Sequence, residues 1–450
     1  METNSFKIGC ATGFSGDRSD GVLPVVRTLV DTGGHALIFE TLAERTLALA
    51  QLEKNRNPEL GYEPLLVDLL TPVLGMCLQH NIRIISNFGA ANPPAAARRI
   101  QLLAQELGLR APRIAVLSGD QLNRPDQLAY LREQLGPDLD GLDIVSANAY
   151  QGAGEIAQAL RAGADIVVAG RVADPSLVLG PALAHFGWAD DDWHRLGCAT
   201  IAGHLLECGT QVSGGYFAVP GLKDVPGMDN LGFPIAEISA AGDIAISKAA
   251  NTGGLVSEQT VKEQLLYEVH DPAAYLTPDV TADISQVTVA QSGPDVVRVG
   301  QVTGHQRPDT LKVNICHHGG WLAEAEISYA GVQAEARARL AADVVRKRLG
   351  SAMPLRADLI GVASVFGDDA GDYLRAYPVG AARDVRLRIA GTHAQKEVAE
   401  RVLREVTALY CCGPAGGGGV RTSLRPRLNS LSSTIPRELA PASWSFMEDA

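Results

Sequence analysis

At 450 residues the chain exceeds the ~250–300 residues at which one hydrophobic core stops growing, so two or more domains are expected. Hydrophobic residues at 46% and charged residues at 20% argue against wholesale disorder. A formal net charge of −12, with a pI near 5.3, argues against nucleic acid and anionic membrane surfaces as partners, leaving room only for a locally basic pocket.

The amino-terminal METNSFKIGCATG lacks the charged and apolar regions of a signal peptide, and no apolar run approaches the ~18 residues that a membrane helix needs. Seven cysteines, odd in number and without a CxxC pair, argue against a disulfide framework, and a reducing cytoplasm is the expected compartment.

Six near-continuous apolar runs of strand length come first: 6–10, 35–40, 81–86, 112–118, 142–148 and 164–170. Such runs suit strands buried on both faces of a parallel sheet. Between them lie helical periodicities at 22–30, 42–55, 65–80, 95–107, 127–135 and 155–162. Gly33–Gly34, Gly108 and Gly163 fall where helices stop, and Asn92 with Pro93–Pro94 reads as a helix start. The alternation predicts an α/β, Rossmann-like layered domain with a mainly parallel sheet over residues 1–190, although a partial barrel has the same linear signature.

Parallel sheets bind ligands at the carboxyl edge of their strands. Here the turns at that edge are ATGFSGDR (11–18), Glu40–Thr41 with Glu44–Arg45 beyond, NFGAANPP (87–94), SGD (118–120), SANAYQGAGE (146–155) and GRVADPS (170–176). They offer Asp17, Arg18, Arg171 and Asp174 as reactive groups, with Ser15, Asn87, Gly89, Asn92 and Gly170 as binding positions.

Past residue 190 the alternation breaks down, and 191–450 reads as a second, α+β domain. An acidic linker (188–197) leads to a helix at 199–208, where His204 and Glu207 share one face three residues apart. Such a pair can orient for proton transfer or form a buried structural hydrogen bond. Gln211, Gly214 and Gly215 follow in a glycine turn. A hairpin over 233–257 delivers Lys248, Thr252 and Gly253; then come a helix at 257–269 and an ordered loop dense in Tyr, Asp and Pro that includes Tyr267. Strand-rich sequence at 296–331, a helix at 332–349, a strand at 384–391 and a helix at 393–409 precede CCGPAGGGGVRTSLRPRL (411–428). Its consecutive glycines, among them Gly416, Gly417 and Gly418, expose unobstructed N–H groups, and Arg421, Arg425 and Arg427 add positive charge, so the stretch reads as an anion-binding loop at 413–421.

Taken together, ATGFSGDR, NFGAANPP, AGRVADPSLVLGP (169–181), HLLECGTQVSGGYF (204–217), the passage 252–280 and GPAGGGGVR (413–421) resemble the acyclic terpene utilisation AtuA family across essentially the whole chain. The resemblance is to the shorter form, without an extra carboxy-terminal ferredoxin-like domain, and implies a small companion subunit and a setting in terpenoid or related acid metabolism. One expectation is a cofactor-independent lyase of the hydration/dehydration type, acting on a carboxylic acid or its acyl-CoA thioester. Asp17, Asp174, His204 and Glu207 would be its acid/base groups, and Arg18, Arg171 and Lys248 would hold developing negative charge. The alternative is a non-catalytic acyl-CoA-binding accessory subunit that partners the companion or a carboxylase. A homo-oligomer is expected. No metal is expected, because the adjacent His317–His318 point to opposite faces of a strand, and no cofactor is expected, because Gly9, Gly13 and Gly16 do not match a dinucleotide fingerprint.

Overall fold

A computed structural model describes residues 5–447. The chain is mixed α/β and divides into two compact units, Met1–Cys316 with Ser430–Ala450, and His317–Asn429.

The first unit is built on a ten-stranded sheet. From edge to edge its strands are Thr288–Gly293, Val296–Gly300, Ile244–Lys248, Pro234–Ser239, Ser5–Cys10, Ala36–Phe39, Arg83–Ser86, Ile166–Val168, Ile114–Ser118 and Ser443–Phe446. Only the block from Ser5–Cys10 to Ile114–Ser118 is parallel; its neighbours on both sides run antiparallel. The sheet is therefore mixed rather than mainly parallel. The cause is local: Pro234–Ser239 and Ile244–Lys248 are joined by a tight turn with Gly242 at φ +100°, and a short turn can only connect antiparallel strands.

Strand alternation divides the apolar side chains between two helical layers. Ile8, Cys10, Ile38 and Val167 pack on one face with the helices Gly154–Arg161, Ser176–Phe186 and Trp193–Glu207. Leu37, Phe39, Ile84 and Val168 pack on the other with Val22–Thr32, Leu66–Leu70, Leu74–Gln79 and Pro93–Glu106. Residues 191–316 thus share the core of residues 1–190, and the compact units do not part at residue 190.

Several elements differ from the sequence expectation. The run 142–148 forms Ile144–Ala149 but leaves the main sheet to pair with the long strand Thr310–Ala330. The helix expected at 65–80 is two short helices, because Pro72 lacks the N–H to continue. The acidic stretch 188–197 is half helix: Asp192 caps Trp193–Glu207 by accepting from the Arg195 N–H.

In the second unit, His317–Asn429, Leu355–Ile360, Asp384–His393 and the long strand are successive neighbours in one sheet. The helices Ala334–Leu349 and Lys396–Cys412 share an apolar core with Ile327, Leu359 and Leu387. Alternate positions on the same strands carry ion pairs, Arg388 with Glu324 and Asp358, and Arg386 with Glu326. The tetraglycine run is not a free loop. Gly418 opens the strand Gly418–Pro436, and the Val420 N–H donates to the Tyr410 hydroxyl.

At the amino edge of the parallel block, Asp165 accepts from Arg83 at 2.7 Å, from both terminal nitrogens of Arg110 at 2.7 and 3.0 Å, and from the Arg113 N–H at 2.9 Å. Burial alone would raise this carboxyl; the Arg110 fork and the other donors outweigh it and hold it below the ordinary carboxylate range. A depressed native pKa contributes stability above the unfolded value, near ~3.9, and that contribution is lost as pH falls through the native pKa. Asp165→Asn should cost about 1–2 kcal/mol at neutral pH, the partly exposed arginines limiting the loss. In denaturant titrations at several pH values the gap to wild type should close below pH ~4; a pH-independent gap would contradict the ionic origin.

Candidate functional site

The carboxyl edge of the same block opens into a cavity of about 770 Å³, every lining residue of which belongs to the first unit. Its wall comes from the turns after three parallel strands (Gly13–Asp17, Glu40–Glu44 and Arg171–Pro175), from the end of the helix Trp193–Glu207 and the turn beyond it, and from segments at 267–278 and 308–312. Gly13 shows how closely these pieces are fitted. A Cβ there would lie 2.5 Å from the Cys208 carbonyl carbon, so only glycine lets the first turn meet the helix end. Asp17 fixes that turn, accepting from the N–H groups of Gly13 and Arg18, both at 2.8 Å. Burial raises its carboxyl, against those two hydrogen bonds.

His204 and Glu207 meet on the buried face of their helix, Nδ1 to Oε1 at 3.1 Å. The other imidazole nitrogen, Nε2, lies 3.0 Å from the Gln264 carbonyl oxygen. A carbonyl can only accept, so Nε2 carries a hydrogen. Burial pushes the imidazole down to about 4, so at neutral pH it is uncharged and Nδ1 is a bare lone pair. The hydrogen in the Nδ1–Oε1 contact therefore belongs to Glu207, whose carboxyl burial drives well above its usual range, with Asp174 and Glu268 adding to the rise. Glu207 Oε2 is buried without a hydrogen-bond partner, and the residue lines the cavity.

Across the cavity wall, Arg171 is 1% exposed. Its Nε donates to the Val172 carbonyl at 2.8 Å, Nη1 to the Leu42 carbonyl at 2.6 Å, and Nη2 to Val172 and to Asp174. The guanidinium lies 4.5 Å from the Tyr150 ring centre, and the Lys312 ammonium 4.6 Å from it. The Tyr150 hydroxyl donates to Glu44 at 2.6 Å. Glu40 is buried; it accepts from the Leu42 N–H at 2.7 Å and from Asn87 Nδ2 at 2.9 Å, and burial drives its carboxyl well up.

Of the residues singled out from the sequence, the wall brings together Asp17, Arg171, Asp174, His204, Glu207, Gln211, Gly215 and Tyr267. Several others stand behind it. Asn87 holds Glu40 and the Thr41 N–H, while Gly170 and Gly89 let backbones approach, a Cβ at Gly89 falling 2.5 Å from the Ala169 carbonyl oxygen. Gly214, at φ +110°, ends the turn before Gly215. Asn92 donates to the carbonyls of Pro58 and Leu60, and Ser15 engages Glu63. Arg18 is held by Asp20 and the Leu231 carbonyl. Lys248 binds the Thr252 carbonyl at 3.0 Å and pairs with Asp295, while Thr252 and Gly253 form the adjoining turn against Gly227. Gly416, Gly417, Gly418 and Arg421 lie in the second unit and are not part of the wall. Glu324 and Glu326 are ion-paired, and among the described residues no group of three or more His, Cys, Asp or Glu is placed to hold a metal ion.

Sequence reasoning passed over Tyr150, Tyr275, Glu268 and Lys312 as site residues, and Glu40 and Glu44 as more than turn residues. The position of the two glutamates directly after the second parallel strand was the available signal.

Fold and site together define a mixed α/β protein with a carboxyl-rich cavity at the carboxyl edge of a parallel strand block. The family model described as acyclic terpene utilisation family protein AtuA matches residues 6–446. The chain belongs to this AtuA family. Neither a curated protein nor a solved structure matches it. Among the described residues no helix is long and apolar enough to cross a membrane.

A carboxyl raised by burial holds its proton in the native state where the unfolded chain has released it. Its effect on stability is absent below the unfolded pKa and becomes a loss as pH rises toward the native one. Glu207→Gln removes that loss and keeps a donor for His204 Nδ1. Its thermal midpoint should match wild type near pH 4.5 and exceed it by a few degrees near pH 8. A deficit relative to wild type that grows from pH 4.5 to pH 8 would show that Glu207 is ionised in the native state.

Proposed function

We propose that the cavity adds or removes water beside the carbonyl of a carboxylic acid or its acyl-CoA thioester, as a cofactor-independent hydro-lyase. On this reading the first unit is Rossmann-like in placing its site at the carboxyl edge of parallel strands. One observation supports the proposal above all: Glu207 lines the cavity with its Oε2 buried and unpartnered, while its Oε1 hydrogen-bonds an imidazole already committed to Gln264.

In the hydration direction a water on Oε2 gives that oxygen its proton as the Oε1 proton moves to His204 Nδ1, and the water oxygen attacks the β-carbon. Asp174 delivers a proton to the α-carbon. Dehydration runs the same steps backward, with Asp174 taking the α-proton and the His204–Glu207 relay releasing one to the departing hydroxyl. One mobile proton thus passes between two stations. Asp174 suits its part because burial raises its carboxyl while Arg171 opposes the rise.

The test is proton NMR in D2O of a panel of 2-enoates and 3-hydroxy acids, free and as coenzyme A thioesters. Wild type should interconvert one pair with deuterium entering at the α-carbon. Glu207→Gln and Asp174→Asn should each lose ~100-fold or more in rate while still binding the substrate. Binding of an acyl-CoA by wild type with no turnover would favour the accessory-subunit reading, and full activity in Glu207→Gln would end the relay.

A further inference from the structure

The cavity wall carries Asp17, Glu40, Glu44, Asp174, Glu207 and Glu268, and only two permanent cations, Arg171 and Lys312. Arg171 has each of its three guanidinium nitrogens hydrogen-bonded, to Leu42, Val172 and Asp174, and is 1% exposed, so its side chain is held in place and not free to swing toward an incoming ligand. Lys312 shares the Tyr150 ring but differs in exposure and in its partners. Its side chain is 53% exposed, its one carboxylate contact, to Glu44, is loose at 3.5 Å, and Glu44 is held independently by the Tyr150 hydroxyl at 2.6 Å. The backbone around Lys312 is fixed nonetheless. Its carbonyl accepts from the Tyr150 N–H at 2.9 Å, and alternation along the strand buries Leu311 and Val313 while Lys312 emerges opposite them.

We propose that Lys312 is the anchor for the substrate's carboxylate, which makes the preferred substrate a small free monocarboxylate rather than a coenzyme A thioester. The inference rests on the reading of the cavity as the reaction site. The ammonium rides on the Tyr150 face and leaves its three donors to rotate toward a carboxylate, releasing Glu44 to its phenol. A second role follows from the same placement. Once its carboxylate is neutralised by Lys312, the bound acid becomes easier to deprotonate at the α-carbon, because the developing enediolate charge falls next to a cation. The pyrophosphate of a coenzyme A thioester finds no match on this wall. It carries several negative charges, and a single mobile ammonium among six carboxyl side chains neither balances them nor supplies an arginine fork.

Isothermal titration with but-2-enoate, but-2-enamide and but-2-enoyl-CoA tests this without requiring turnover. Wild type should bind the carboxylate at least ~10-fold more tightly than the isosteric amide. Lys312→Gln should bring the carboxylate down to the affinity of the amide and leave the amide unchanged, and Lys312→Arg should restore most of the preference. The proposal is overturned if wild type does not discriminate acid from amide, if it binds neither, if it binds the thioester and not the free acid, or if Lys312→Gln keeps wild-type affinity for the acid. The acid-against-amide comparison in wild type holds even if the variant fails to fold. Failure of the anchor changes binding in these titrations, whereas failure of the relay shows as unimpaired turnover in Glu207→Gln, so the two ideas fall separately.

Discussion

A backbone carbonyl accepts hydrogen bonds and never donates one, and the Gln264 carbonyl sits on His204 Nε2. From that constraint the state of the cavity follows in order. Nε2 must be protonated; a deeply buried imidazole resists a second proton; Nδ1 is then an acceptor, and the hydrogen it needs comes from Glu207. The contact is secured from both sides, since the Gln264 side-chain amide also donates to the His204 carbonyl at 3.4 Å. It depends in turn on the packing of Glu258–Leu266, capped by Ser257, against Trp193–Glu207.

The two edges of the parallel block treat charge in opposite ways. At the amino edge Asp165 is ionised and saturated by three arginines or their neighbouring backbone, an arrangement that staples strands together. At the carboxyl edge the wall gathers carboxyl groups that burial pushes up, Glu40, Glu207 and Asp174, the last with the Arg171 guanidinium opposing the rise. Carboxyl groups kept at different proton affinities within one cavity are what acid–base chemistry at neutral pH requires. The supporting residues are spent on that end: Asp120 holds the Arg171 N–H at 3.0 Å, and Asn87 holds Glu40.

Much of this was legible in the sequence, and the limits have physical causes. Strands buried on both faces give continuous apolar runs whatever their partners, so the parallel strands could be read but their order, and the departure of Ile144–Ala149 to another strand, could not. His204 and Glu207 were visible because their helix spacing is local. Lys312 was not, because its role arises from Tyr150, more than a hundred residues earlier in the chain, through a cross-strand contact. Charge and glycine content overstated Arg18, Lys248 and the tetraglycine run as reactive parts of one cavity. Arg18 is engaged by Asp20 and the Leu231 carbonyl, Lys248 by the Thr252 carbonyl and Asp295, and the glycines lead into the strand Gly418–Pro436 in the second unit.

The most direct measurement is nitrogen-15 NMR of the chain labelled at its ten histidines, with His204 assigned by the loss of its signals in His204→Gln. At pH 7 the spectrum should show a neutral imidazole with its hydrogen on Nε2 and an unprotonated, hydrogen-bond-accepting Nδ1. An imidazolium at that pH, or a neutral ring with its hydrogen on Nδ1, would contradict the protonated Glu207 on which the relay is built.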